Sequence, residues 1–215
     1  MMKSIKIVPM LIMVSLVFAS GCFIQSLHPF YTDKTKIAIP PHIVGHWMPT
    51  DADGGENEGE APWLFSDGKI TSHHKVGEKC HSAVYFKVKD VLFVDVEAGE
   101  STYGGDEDDT WLNAHRLSVH QVYKVVTNQN EMVFYPLDFG WVAKQIQAGV
   151  FKLSYYRSTS MSVEEQEKAP IVLTEKSEKL SEFLESCIAH PDAFKGEAYR
   201  YTFRKVPKDN KNEEF

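Results

Sequence analysis

The 215-residue sequence contains little cysteine and no excess of positive charge. Three cysteines are too few for a disulfide-built mini-protein, and no CxxC or other zinc-ligand spacing is present. There are 23 Lys and Arg residues against 30 Asp and Glu, which gives a formal net charge of −7. Nucleic-acid binding needs clustered cations that displace counterions, so this composition argues against a nucleic-acid partner.

Familiar catalytic motifs and apolar runs of bilayer length are also missing. Neither G-x-S-x-G nor H-E-x-x-H occurs, and we find no internal repeat. The N-terminal apolar run, Ile7–Phe18, is 12 residues long, whereas a membrane-spanning helix needs about 20. Hydrophobic residues still make up 43% of the chain, which is enough for the core of one globular domain.

The first 22 residues carry the ordered features of an export signal. Two lysines precede the apolar run, and Ala19, Ser20 and Gly21 lead to Cys22. This order resembles the bacterial lipobox, in which the cysteine is acylated and becomes the mature N-terminus. The resemblance predicts a signal peptide over residues 1–21 and lipidation of Cys22. The alternative is an ordinary secretory signal in which Cys22 has no special role.

The residue after the cysteine bears on localisation. Phe23 stands where the Gram-negative sorting rule places Asp in lipoproteins retained at the inner membrane. We therefore expect a lipid-anchored protein of the cell envelope, at the outer membrane and facing the periplasm. Its membrane contact would run through the acyl chains on Cys22, and stable attachment needs more than one chain.

The rest of the chain divides into three parts. Three prolines favour an extended tether over residues 22–42, following the lipidated cysteine. A single β-barrel-like domain is expected over 43–206, and 207–215 form a flexible polar tail.

Alternating apolar residues predict many short strands and two late helices. Asp138 is expected to cap a helix over 139–148. Thr174 is expected to cap a second helix, which shows the amphipathic spacing of Leu180, Phe183, Leu184, Cys187 and Ile188. The strands are expected at 43–48, 63–66, 69–76, 81–88, 91–96, 117–126, 131–136, 150–156 and 198–206. This order predicts a mainly β (β-rich α+β) fold: an antiparallel barrel or curved sheet with two helices in the C-terminal half.

Five stretches resemble a family of uncharacterised bacterial lipoproteins. They are Ile24–Tyr31, Val44–Trp47, Leu92–Asp95, Tyr135–Trp141 and Leu173–Phe194. The second stretch contains the G-x-W that opens lipocalin-type barrels, whose Trp closes one end of the barrel. The resemblance implies a lipocalin-like barrel and extracytoplasmic anchoring, and it brings no activity with it.

Two cysteines remain after Cys22. Cys80 and Cys187 are a candidate disulfide in an exported protein. The alternative is two unrelated thiols, because Cys187 lies on the apolar face of the predicted second helix, where free cysteine packs as a small hydrophobe.

Metal binding has weak support. His73, His74 and His81 lie near Cys80, and His115 and His120 are five apart, but His73 and His74 would point to opposite faces of a strand. We therefore favour surface histidines. Asp51 and Asp53 begin like a calcium loop without continuing as one, and Asp106–Asp109 fit a solvated loop better. No metal or cofactor is expected.

Catalysis has one candidate residue. Asp95, on an apolar strand, would suit a general base, although such an Asp more often faces solvent or accepts backbone hydrogen bonds. We assign no catalytic residue.

Aromatic side chains on many strands suggest a cavity for an apolar ligand, or a completely filled interior. The candidates are Trp47, Phe65, Tyr85, Phe93, Tyr123, Phe134, Tyr201 and Phe203. The favoured hypothesis is a non-enzymatic binding module for an apolar small molecule or lipid. An envelope structural or protein-interaction lipoprotein is the alternative, and a metal-dependent or hydrolytic enzyme is the third.

Overall fold

A computed structural model shows an antiparallel barrel of eight strands. It describes residues 24–51, 55, 60–74, 77–97, 118–157, 171–195 and 200–207, with only the backbone described at 73, 74, 77 and 78. The predicted signal peptide, Cys22 and residues 208–215 of the tail lie outside these ranges.

Seven of the barrel strands follow one another around the ring in chain order. They are β2 (Gly45–Thr50), β3 (Trp63–Ser66), β4 (Lys69–His74), β5 (Gly77–Val88), β6 (Val91–Glu97), β7 (His120–Thr127) and β8 (Glu131–Pro136). The last strand, β11 (Tyr201–Lys205), is antiparallel to both β8 and β2 and closes the ring. The predicted mainly β fold is therefore confirmed, as a closed barrel rather than an open curved sheet.

The β3–β4 hairpin shows how local sequence sets the strand register. Asp67 and Gly68 form its two-residue turn between the paired residues Ser66 and Lys69. Gly68 has a φ of 72°, a left-handed conformation that glycine adopts without a Cβ clash.

The chain leaves the barrel between β8 and β11 and forms both helices there. They are α1 (Phe139–Gln147) and α2 (Ser177–Ile188), and a 3-10 helix follows at Pro191–Phe194. Asp138 caps α1 as predicted, because its carboxylate accepts the Trp141 N–H at 2.7 Å. The prediction of a Thr174 cap is wrong: α2 begins after Lys176, and the Thr174 N–H donates to the Ser154 carbonyl at 3.0 Å.

The predicted strand over 150–156 is shorter than expected. Only β9 (Tyr155–Tyr156) is extended and paired. The Val150 N–H instead donates to the Gln145 carbonyl, and Gly149, with a φ of 70°, turns the chain there. The end of α1 thus uses hydrogen-bonding groups that a longer strand would have needed.

A three-stranded extension of the barrel sheet lies beside the barrel. It consists of β1 (Ile24–Ser26), β10 (Ile171–Leu173) and β9, in that order, and we call it the side sheet. Strand β1 is parallel to β10 and antiparallel to the first residues of β7. Neither β1 nor β10 is among the predicted strands, because each is only three residues long.

Two hydrophobic cores share the barrel wall. One fills the barrel interior, and the other lies outside it, between the wall, the side sheet and the two helices. Alternation along β6 shows the division, because Val94 belongs to the interior core and Phe93 to the outer core.

Residues 24–37 belong to this fold and do not form the extended tether that was predicted over 22–42. Phe30 is fully buried in the outer core. The Ile37 N–H donates to the Tyr85 carbonyl at 2.9 Å, and the Lys87 N–H donates to the Thr35 carbonyl at 3.0 Å. Pro29 precedes Phe30, and Pro40 and Pro41 follow Ile37, so no proline takes the place of a backbone N–H that this segment uses.

We expect Phe30→Ala to lower the free energy of unfolding by about 3–5 kcal/mol, because it leaves a ring-sized cavity in the outer core. Urea denaturation measures the loss. Leu27→Ala is the control, since Leu27 is 36% exposed, and we expect it to cost less than about 1 kcal/mol. Equal stability of the Phe30→Ala variant and the parent would mean that this segment is a tether after all.

Candidate functional site

The barrel interior is lined by seven of the eight aromatic residues proposed for a cavity. Trp47, Phe65, Tyr85, Tyr123, Phe134 and Phe203 are buried there, and Tyr201 packs against them. Phe93 does not belong to this set. Its side chain points outward, where it stacks on Phe86 at a centroid distance of 5.5 Å. The reason is the two-residue period of β6, which turns Val94 inward and Phe93 outward.

Three rings fill the middle of the barrel. Phe65 lies 5.9 Å from Phe134 and 5.4 Å from Phe203, and Phe134 lies 5.5 Å from Phe203, all between centroids. These edge-to-face contacts join β3, β8 and β11 across the interior. At this level the rings occupy the space between the walls, so a ligand would have to bind above or below them.

The indole of Trp47, the third residue of β2, lies in the interior core. Its ring N–H donates to the Ile43 carbonyl at 2.7 Å, and both residues are fully buried. The Lys205 ammonium lies 5.2 Å from the ring centroid, a cation–π distance. Trp47 is thus a buried residue of the interior core near the start of β2.

Polar groups lie toward the upper end of the interior, where β7 begins. The Tyr123 hydroxyl donates to Gln121 Oε1 at 2.7 Å, and the Tyr123 and Tyr201 rings lie 5.8 Å apart. Gln121 pairs with Val96 of the interior core, which places its side chain on the inner face. Ser72 alternates with the inward-facing Ile70 on β4 and is buried. Amphipathic side chains therefore line the upper half of the barrel.

One polar atom in the interior has no hydrogen-bond partner among the described residues. It is the hydroxyl of Tyr85, a side chain of which 2% is exposed. Burial raises the pKa of this phenol, so it is a neutral hydroxyl at physiological pH. Leaving a buried hydroxyl unpaired costs about 1–3 kcal/mol, so we expect a hydrogen-bonding partner for Tyr85.

Asp95 faces the outer core, on the opposite side of the wall. Its Oδ1 lies 2.8 Å from His120 Nδ1, and its Oδ2 accepts the Phe30 N–H at 2.7 Å. The carboxylate is 2% exposed. Asp95, on β6, therefore connects this strand to His120 of β7 and to the N-terminal segment. Its contacts match the expectation that such an Asp accepts a backbone hydrogen bond.

The two members of this pair both hold protons more tightly than usual. Burial raises the pKa of Asp95, and this outweighs the opposing hydrogen bonds from His120 and Phe30. Burial alone would lower the pKa of His120, but the hydrogen bond and charge of Asp95 reverse the direction and raise it. The folded protein thus binds protons here that the unfolded chain releases.

Within the described part of the chain, no three His, Cys, Asp or Glu side chains come together as a metal site would require. His120 is paired with Asp95, and His81 faces inward on β5 opposite Ile70. Asp51 accepts the Gly55 N–H at 2.6 Å. The His73 and His74 side chains, Asp53, Asp106–Asp109 and His115 lie outside the description.

The candidate disulfide between Cys80 and Cys187 is not formed, because both thiols are free. Cys187 lies in the outer core together with Phe86 of β5. Cys80 is six residues from Phe86 along the same strand, which amounts to about 20 Å, and a disulfide requires Cα atoms within about 7 Å. Burial raises the pKa of the Cys187 thiol, which makes it unreactive.

Fold and site together define an up-and-down β-barrel with an aromatic interior and an outer core of two helices and a side sheet. No helix of the described ranges is both long and apolar enough to span a bilayer. No protein-family model matches the chain, and neither a curated protein nor a solved structure matches it significantly.

The Asp95–His120 pair makes stability depend on pH. Both pKa values are raised, so each group stabilises the fold fully below its ordinary pKa and loses this contribution as the pH rises through its own folded-state pKa, first Asp95 and then His120. Asp95→Asn keeps an acceptor for Phe30 but removes the charge. We expect the stability advantage of the parent over this variant to shrink as the pH rises above about 6.5, the ordinary pKa of His, and through the raised pKa of His120.

Urea unfolding at several pH values measures this difference. Asp138→Asn is the matched control, because it makes the same change at a helix cap where Asn also serves. An advantage that stays constant across this pH range would show that the pair does not take up a proton on folding.

We expect both thiols to react as free cysteines, at different rates. Maleimide should modify the half-buried Cys80 in the folded protein, and Cys187 only after unfolding, because it is fully buried. Mass spectrometry of the labelled peptides measures both. An unlabelled protein lighter by the mass of two hydrogens would instead show that the disulfide exists.

Proposed function

We propose that this protein is a lipid-anchored barrel of the cell envelope that binds an apolar molecule carrying one hydrogen-bonding group. The buried Tyr85 hydroxyl, which has no hydrogen-bond partner among the described residues of this aromatic barrel, is the observation that carries the proposal. The ligand class is a lipid or a small apolar compound, held without chemical conversion.

The interior chemistry supports this assignment. A ligand pocket is mostly apolar, with a few well-placed polar groups that fix orientation. Beside the three central rings the barrel interior holds the rings of Trp63, Tyr123 and Tyr201 together with Gln121 and the Tyr85 hydroxyl. Trp63 is inward-facing, opposite Trp47, and lies 5.3 Å from Phe203. These residues could enclose an apolar body and pair with one polar atom.

The anchoring half of the proposal depends on Cys22. The order of lysines, short apolar run, small residues and cysteine is that of a lipobox. Acylation there would attach the domain to the membrane, and Phe23 favours the outer membrane, with the barrel in the periplasm.

A second function is favoured by the three central rings. Their mutual contacts fill the middle of the barrel, as expected of an interior that only stabilises the fold. The protein would then act through its surface, as an envelope structural or interaction protein. An enzymatic role has less support, because the contacts of Asp95 are with Phe30 and His120 and lie outside the barrel.

Tyr85→Phe separates these two functions. It removes the hydroxyl and keeps the ring, so we expect it to lower the retention of bound molecules when the full chain is purified from membranes. Native mass spectrometry of the parent should show an adduct of lipid-like mass, and the variant should show less of it. Displacement of a dansylated fatty acid gives a second readout in solution.

Tyr135→Phe is the matched control, because Tyr135 packs against the outer core and not in the barrel. Two results together would favour the surface function instead. The parent protein would carry no adduct, and the only effect of Tyr85→Phe would be to make the protein more stable by about 1–3 kcal/mol.

A further inference from the structure

The two tyrosines of β9 are exposed although their neighbours are buried. Tyr155 is 45% exposed and Tyr156 is 63% exposed, whereas Ile171 and Leu173 of the adjacent strand are buried. Val150, in the turn before β9, is 60% exposed. Strand β9 ends the side sheet among the described strands, so these side chains form an apolar edge on the molecular surface.

This edge lies close to the point where an acyl anchor would be attached. Ile24 is the second residue after Cys22, and two residues span at most about 7 Å. Val172 pairs with Gln25 on one side and with Tyr156 on the other. Tyr156 is therefore two strand spacings from β1, or about 10 Å. Without a tether between Cys22 and the fold, the membrane surface would lie near this edge.

The charge of the edge also fits an anionic lipid surface. Residues 150–157 contain two charged residues, Lys152 and Arg157, and both are positive, in a chain of net charge −7. Among the described residues, Glu175 is an acid that touches this segment: it accepts the Ser154 N–H at 2.6 Å and pairs with Lys179 at 2.7 Å. Its charge is thus already balanced, and the edge itself is positive.

We infer that the β9 edge, with Tyr155 and Tyr156 on its two sides, rests on the lipid headgroups. Tyrosine is enriched at such interfaces because its ring is apolar and its hydroxyl stays hydrated. Positive side chains beside it are attracted to anionic headgroups. The inference rests on the proposed anchoring at Cys22, and it fixes the orientation of the barrel, with its side sheet toward the membrane.

Fluorescence quenching by brominated lipid tests this orientation. A Tyr156→Trp variant of the full acylated protein is reconstituted in vesicles of phosphatidylethanolamine and phosphatidylglycerol, with and without brominated acyl chains. We expect the emission added by the new indole to be lost in the brominated vesicles. Val126→Trp is the matched control, since Val126 is 48% exposed on the barrel itself, and its added emission should persist. Equal quenching of the two variants would overturn the inference.

The anchoring is tested separately, by the intact mass of the protein extracted from membranes. A chain without acyl groups would overturn the proposed anchoring, and the edge is then tested by flotation of that chain with the same vesicles. Replacing both tyrosines, as Tyr155→Ser/Tyr156→Ser, should weaken flotation about tenfold, which corresponds to about 1.4 kcal/mol. Flotation equal to that of Val126→Ser would overturn the membrane-facing edge.

Discussion

The fold depends on how β7 divides one of its edges between two partners. Strand β8 pairs with residues 123–127 of β7, and β1 pairs with Gln121 and His120 on the same edge. The other edge of β7 pairs with β6 and so closes the barrel. Strand β8 pairs only with residues 123–127 and does not reach the first residues of β7. The backbone groups of those first residues would be unpaired on this edge, and β1 satisfies them. The side sheet and the outer core are built on this connection.

The buried carboxylate of Asp95 acts at the same place. It lies between β6, β7 and the segment that follows β1, and it accepts a backbone N–H that would otherwise be buried unpaired. The outer core is thus held in place by the paired backbone of β1 and by the Asp95 side chain, which accepts the Phe30 N–H. The interior core needs no such group, because a closed ring of strands satisfies its own backbone hydrogen bonds.

Much of the barrel could be predicted from the sequence, because the strands and turns are marked by patterns of neighbouring residues. Alternation on β6 and β7, the Asp67–Gly68 turn and the Asp138 cap are each set by neighbouring residues. The side sheet could not be found in this way, since a three-residue strand such as β1 has no period and its partners are distant in the chain. Phe93 was misassigned to the interior because a run of apolar residues does not show which face is inside. The unpaired Tyr85 hydroxyl carries no sequence signal, because it depends on every side chain around it.

The long separation between β1 and its partners determines when the N-terminal segment can be completed. Ser26 donates to the Leu173 carbonyl, across 147 positions of the chain. Contacts of this kind form late, because the intervening chain must first be brought together. The first residues of the domain therefore stay accessible during synthesis, until β10 has emerged. An enzyme that modifies the chain just before Ile24 would meet it in an unfolded form, and folding would afterwards bury the residues beside the modified site.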